Sequence, residues 1–431
     1  MLLSLLIFLF YTAIFIGILF LCCKRSAFVL SFKEASLAFV AKIAVGCLYG
    51  YFFLHYYGGD DTWLYHNESL KEFALLKTDP LHFFINDIFP NGYKTNQLYT
   101  IFDSSDSFAK DLEYTLLIKL LAIFDLFSGG RYYVNVIFYN IIVFGGSYSL
   151  FKTLSTKYPN KRLLWLIFIF YFPPLLFWTS GIRKDGICFA IICGLIYQLY
   201  FLFEKRKSVK HLIYAGLLFF ILFLLRNYLA LSFIPISISY ALSKKSKYPW
   251  LSFFIVSAVC ITAFFLTSLL SDSFDLPQKM ADRQHSFLTL SGNSYLPIDT
   301  LSGNPGSYCK IFPQAINHVF FRPYITEAKG LLYLFSFIEN LFFYFFLIFS
   351  FIKISSSWKT VVNDPLMLSF ILIAFSNYII IGYTVPFLGA IVRYKSSFEI
   401  FFILVLLQLQ NTDLLKFTSR LTPSGLKIIS K

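Results

Sequence analysis

Residues 2–22 read LLSLLIFLFYTAIFIGILFLC, with no charged side chain among them. Wound as an α-helix, such a run is about 30 Å long, the thickness of a bilayer's hydrocarbon core. It lacks the basic start and small-residue cleavage site of a secretory signal, so it reads as a span that is kept. Comparable runs recur at 35–57, 131–151, 163–179, 187–203, 211–226, 229–243, 248–270, 331–352, 365–385 and 397–412. The expected fold class is an all-α polytopic integral membrane protein with about eleven transmembrane helices. Composition agrees. Of 431 residues 57% are apolar and 14% charged, where soluble domains carry about 25% charge.

The formal net charge of +14 does not imply nucleic acid. The bases are spread over short turns between apolar runs, and the 55 Phe and 29 Tyr are helix bulk rather than a base-stacking surface. Six of the seven cysteines lie in or beside apolar runs and only Cys309 sits in a long polar loop, which argues against a disulfide framework or a cysteine metal site. The basic turns around Lys24–Lys33, Lys152–Arg162, Lys205–Lys210 and Lys244–Lys247, with the basic tail, belong in the cytoplasm by the positive-inside rule. That holds only if residues 113–127, interrupted by Glu113, Lys119 and Asp125, lie at the interface as an amphipathic helix without crossing. The amino terminus is then outside, as are two long loops, 58–130 and 271–330, within one integral membrane domain covering 1–431. Two helices, 62–77 and 107–127, are expected to lie flat in the first loop. No cytoplasmic segment is large enough for ATP-using or soluble-cofactor chemistry, so any chemistry belongs to the outer face of the cytoplasmic membrane.

Five outward stretches carry the polar residues worth weighing. Gly58-Gly59-Asp60-Asp61-Thr62-Trp63-Leu64-Tyr65-His66 sets two carboxylates at a span end, costly near lipid. One Asp can cap the following helix while the other faces a substrate as a general base or metal ligand. Trp178-Thr179-Ser180-Gly181-Ile182-Arg183-Lys184-Asp185-Gly186 crowds three charges into a tight turn: Arg183 or Lys184 suits a phosphate, and Asp185 either caps a helix or supplies a second acid. Arg226 sits in an equally short turn. Arg322, fixed in extended geometry by Pro323, and Arg393, ahead of the last expected span, complete a set of outward arginines where the positive-inside rule predicts few. Lys42, within a span, is expected to snorkel inward.

Many spans, an acid pair opening the first outward loop, two interfacial helices in that loop, and an acid at a later helix start together resemble the GT-C superfamily of membrane glycosyltransferases. The likeness covers roughly residues 35–230. It implies Asp60 or Asp61 as the first-loop acid, Asp185 as the second, and a polyprenyl-phosphate-linked sugar as donor to a saccharide acceptor, in surface glycan biosynthesis. Arg183, Lys184, Arg226, Arg322, Arg393, Trp63 and His66 are the accompanying substrate-binding candidates. The unusual Arg-Lys-Asp turn departs from that pattern, and Asp60–Tyr65 with the Arg-Lys-Asp-Gly-Ile helix start also looks something like exopolysaccharide or O-antigen polymerases. A lipid-linked repeat-unit polymerase is therefore the alternative, and a flippase or transporter the third reading. No cofactor is identified, and a divalent metal bridging an Asp to phosphate is left open.

Overall fold

The computed structural model describes residues 2–85, 108–205, 208–270, 274–290, 292, 294–327, 330–352 and 358–410. Residues 86–107, including the Pro90-Asn91-Gly92 joint expected between the first-loop helices, lie outside them. The described residues form eighteen α-helices and no sheet, with one isolated bridge between Tyr295 and Phe387. The first six are α1 (Leu2–Cys23), α2 (Phe32–Tyr57), α3 (Asp61–Thr78), α4 (Pro80–Ile85), α5 (Phe108–Ser128) and α6 (Tyr132–Lys157). Next come α7 (Arg162–Tyr171), α8 (Pro173–Ser180), α9 (Lys184–Tyr200), α10 (Val209–Leu225), α11 (Asn227–Ser243) and α12 (Pro249–Leu266). The last six are α13 (Leu276–Leu288), α14 (Pro305–Ile316), α15 (Leu331–Ile352), α16 (Trp358–Val362), α17 (Pro365–Thr384) and α18 (Leu388–Leu409).

Seven of these, α1, α2, α6, α9 with its continuation to Glu204, α12 with its continuation to Leu269, α15 and α17, are long and apolar enough to cross a membrane. The protein is therefore an α-helical polytopic membrane protein. The other segments expected to span differ from simple rods for visible reasons. The run 163–179 is broken: α7 and α8 meet at Phe172-Pro173 and bend by 43°, because proline removes a ladder donor and clashes with the preceding turn. The runs 211–226 and 229–243 form two separate helices of only 17 residues each, meeting at Arg226. The last helix begins at Leu388, so Arg393 and Lys395 lie inside α18 and do not precede it. Charged there, α18 is nonetheless among the most buried helices, whereas α1, α12 and α15 bury few residues.

Interior helices pack closely where side chains are small. A methyl group on Gly146 of α6 would come within 2.3 Å of the Ala190 backbone on α9, the close approach small residues permit between membrane helices. Two expectations about polar residues are corrected. Lys42 does not snorkel; it is fully buried and its Nζ donates to Thr179 Oγ1 at 3.4 Å. α5 turns its polar residues toward protein and not toward water. Lys119 donates to Glu72 (2.9 Å) and the Phe83 carbonyl (2.6 Å), and Asp125 accepts from Ser69 (2.8 Å) and Asn135 (2.6 Å).

The helices define two polar ends. α2, about 39 Å long by its 26 residues, runs from Glu34 at one end to Asp60 just beyond the other. At the Glu34 end meet Arg162, Lys157, Lys161, Glu204, Lys244 and Asp364. These are the short basic turns that the sequence assigns to one side.

Candidate functional site

The site is built where α2 hands over to α3. Gly58 and Gly59 adopt φ of 69° and 100°, a region side chains avoid, and this turns the chain so that Asp60 precedes α3. Asp60 Oδ1 accepts the Asp61 backbone N–H at 2.7 Å, and its Oδ2 accepts from Arg183 Nη1 at 2.9 Å. Arg183 Nη2 donates to Asp61 Oδ2 at 2.5 Å, and Nη1 also donates to the Tyr49 hydroxyl at 2.5 Å. The Arg183 side chain is only 2% exposed. The backbone helps, since its carbonyl accepts the Tyr139 hydroxyl at 2.6 Å. Burying a guanidinium is affordable because two carboxylates and a phenol satisfy its donors.

A second clamp lies beside the first. Asp185, buried in the first turn of α9, accepts from Arg226 Nη2 at 2.5 Å and faces Arg393 Nε at 3.5 Å. Arg226 occupies the joint between α10 and α11 in extended conformation. Arg393 of α18 bridges the clamps, its Nη1 reaching Asp61 Oδ2 at 3.3 Å. Lys184 pairs with Glu113 of α5 at 2.8 Å. Tyrosines separate the guanidinium groups. Arg283 of α13 lies 4.1 Å over the Tyr228 ring, Arg226 lies 5.2 Å and Arg393 4.5 Å from the Tyr394 ring. Such contacts let cations gather without touching.

These groups line a cavity of about 180 Å³ bounded by Asp61, Tyr65, Glu113, Arg183, Lys184, Asp185, Arg226, Tyr228, Arg283, Phe287, Arg393 and Tyr394. Cations outnumber carboxylates in that wall by two, so it attracts anions. Burial alone would raise the Asp61 carboxyl, but the Arg183 and Arg393 guanidinium groups outweigh it and hold Asp61 below the usual carboxylate range. Asp61 is thus ionised at neutral pH. Its side chain is 43% exposed, and among the described residues nothing donates to its Oδ1. The two adjacent acids therefore do different things. Asp60 spends one oxygen on the helix start and the other on Arg183, while Asp61 keeps an oxygen for the cavity.

Of the residues singled out in the sequence, Asp60, Asp61, Asp185, Arg183, Lys184, Arg226 and Arg393 come together here. Asp60 stands behind the wall through Arg183, and three others lie apart from the site. Trp63 stacks on Tyr132 at 4.1 Å and donates to the Gly50 carbonyl at 2.9 Å, fastening α3 to α2. His66 is buried with its ring edge-on to Trp63 and Tyr132. Arg322 faces Glu327 at 3.4 Å, and its carbonyl takes donors from Lys395 and Asn340. Tyr49, Tyr228, Glu113 and Arg283 belong to the site without having been chosen as candidates. Glu113 and Arg283 sit on amphipathic helices of the two long loops, where a single sequence offers no sign of which charge turns inward. Among the described residues no three His, Cys, Asp or Glu side chains are arranged to hold a metal. Both Asp185 oxygens already face guanidinium groups, whereas Asp61 is held through Oδ2 alone. No family model, curated protein or solved structure matches this chain.

Proposed function

We propose that this protein is a membrane glycosyltransferase that moves sugar from a polyprenyl-phosphate-linked donor to a saccharide acceptor. The reading includes about eleven crossings, the weaker helices counted, and a site on the extracytoplasmic face of the cytoplasmic membrane. One observation carries it: arginines from four distant segments, residues 183, 226, 283 and 393, line a single cavity with Asp61 and Asp185 at one end of the bundle. A phosphate leaving group develops negative charge, and guanidinium groups already held in position by carboxylates stabilise it. An acceptor hydroxyl needs a carboxylate within hydrogen-bond reach, and the unengaged Oδ1 of Asp61 supplies one. Held in its ionised form by Arg183 and Arg393, Asp61 orients the hydroxyl and receives its proton as the glycosidic bond forms. Asp185, enclosed by arginines, sets the position of Arg226 and Arg393. Transfer from a purified polyprenyl-linked donor tests this reading. Asp61→Asn should abolish most turnover, and unchanged turnover in that variant rejects the base.

One feature favours a repeat-unit polymerase as second reading: every acid at the site is already engaged by a cation, which suits chemistry led by arginines. Surface-glycan analysis of a deletion strain separates the two. A missing sugar supports single-sugar transfer, and single unpolymerised units support the polymerase.

A further inference from the structure

We infer that Arg283 is the anion-receiving residue of the cavity, the group that takes the donor's phosphate; this rests on the transferase reading and names a binding residue within it. The argument is one of pairing. Each of the other cations in the cavity wall already has a carboxylate: Arg183 has Asp60 and Asp61, Lys184 has Glu113, Arg226 has Asp185, and Arg393 has Asp61 and Asp185. Arg283 has none. Among the described residues its contacts are the Tyr228 ring at 4.1 Å and the Phe287 ring at 6.0 Å. The one carboxylate next to it in sequence, Asp282, accepts from Gln278 at 2.9 Å.

Ring stacking occupies the face of a guanidinium and leaves its in-plane N–H donors free, the edge that binds a phosphate in two-point fashion. The backbone that carries this side chain is anchored. Gln284, the next residue, donates to the Tyr383 and Asp299 carbonyls at 2.8 and 3.1 Å and accepts the Leu301 N–H at 2.7 Å. The start of α13 is capped by Asp275 on the Gln278 N–H at 2.9 Å. The second long loop thus delivers a half-buried, pre-oriented arginine to the cavity with its donors unspent.

The test uses the full-length protein in phosphatidylcholine nanodiscs, titrated in one arm with polyprenyl monophosphate and in the other with inorganic phosphate and pyrophosphate. Wild type is compared with Arg283→Gln, Arg283→Lys and Lys310→Gln, the last removing a charge from the same loop outside the cavity. Binding should weaken tenfold or more in Arg283→Gln, less in Arg283→Lys, and remain unchanged in Lys310→Gln, with thermal unfolding of all four alike. A response confined to the lipid arm identifies the carrier as the source of the phosphate, and one confined to the soluble arm identifies free phosphate; either supports an anion at Arg283. Wild-type binding that Arg283→Gln leaves within twofold overturns the inference and spares the transferase reading. Absence of wild-type binding in both arms overturns both.

Discussion

The two ends of the bundle use the same side chains to opposite effect. At the end formed by Arg162, Lys157, Lys161 and Lys244, cations close the structure. Lys161 donates to the Leu407, Gln408 and Gln410 carbonyls at 2.8 to 2.9 Å and so satisfies the last turn of α18. Arg162 grips Glu34 with two nitrogens, at 2.7 and 2.6 Å, and Lys157 ties Glu204 to Asp364. At the other end, arginines hold carboxylates around an opening that is left in place, with cations in excess. Charge paired for closure contributes to stability, whereas charge paired around a cavity is pre-organised for something that enters it.

The largest way to break the contrast is Arg183→Met. It strands Asp60 and the Tyr49 hydroxyl, leaves Asp61 with Arg393 alone, and should destabilise the fold by about 2–4 kcal/mol, below the full range for buried pairs because both carboxylates keep contact with water. Thermal unfolding in detergent measures it. Next is the split between neighbours: Asp61→Asn should lower turnover about 100-fold or more, while Asp60→Asn, still a good helix cap, should lower it far less. Equal losses in the transfer assay would erase the distinction between the two acids. At the closed end, Lys161→Met should cost about 1–3 kcal/mol of stability through stranded carbonyls, with phosphate binding untouched. A change in binding there would couple the two ends. Arg162→Gln, on a half-exposed pair, should cost under about 1 kcal/mol.

The smallest expected effects are in pH. Asp61 is held below its ordinary 3.8, so its share of stability is complete above that value and is lost only as pH falls through the lower folded value. An acid limb in turnover between about pH 5 and 8 then has another origin. His66 works in the other sense: burial, opposed in part by Asp125, holds it below its ordinary 6.5. The unfolded chain therefore takes up that proton first, and stability declines as pH drops below 6.5 toward the folded value. A His66→Gln variant that kept the same slope in unfolding against pH would assign the slope elsewhere.

The membrane class and the helical runs were legible because hydrophobic length is a local property, readable from any stretch such as 2–22. So were Asp60, Asp61, Arg183, Asp185 and Arg226, since charges crowded at span ends stand out against apolar surroundings. The division of labour between Asp60 and Asp61 was not legible, because it depends on which oxygen Arg183 reaches from 122 residues away. Trp63 and His66 carried the same sequence signal as their acidic neighbours, yet their place on α3 turns them toward Tyr132. Lys119 and Asp125 marked an interfacial amphipathic helix in the sequence, and the partners they meet on α3 and α6 were not legible there.

By itself, then, the sequence determined that this chain lives in a membrane as helices and which span ends are charged, because transfer from water to lipid acts residue by residue along the chain. Only the tertiary structure decided which of those charges meet. Pairing depends on distances between segments far apart in sequence, and α18, whose Arg393 joins both acid clamps, is placed by packing that no local pattern encodes.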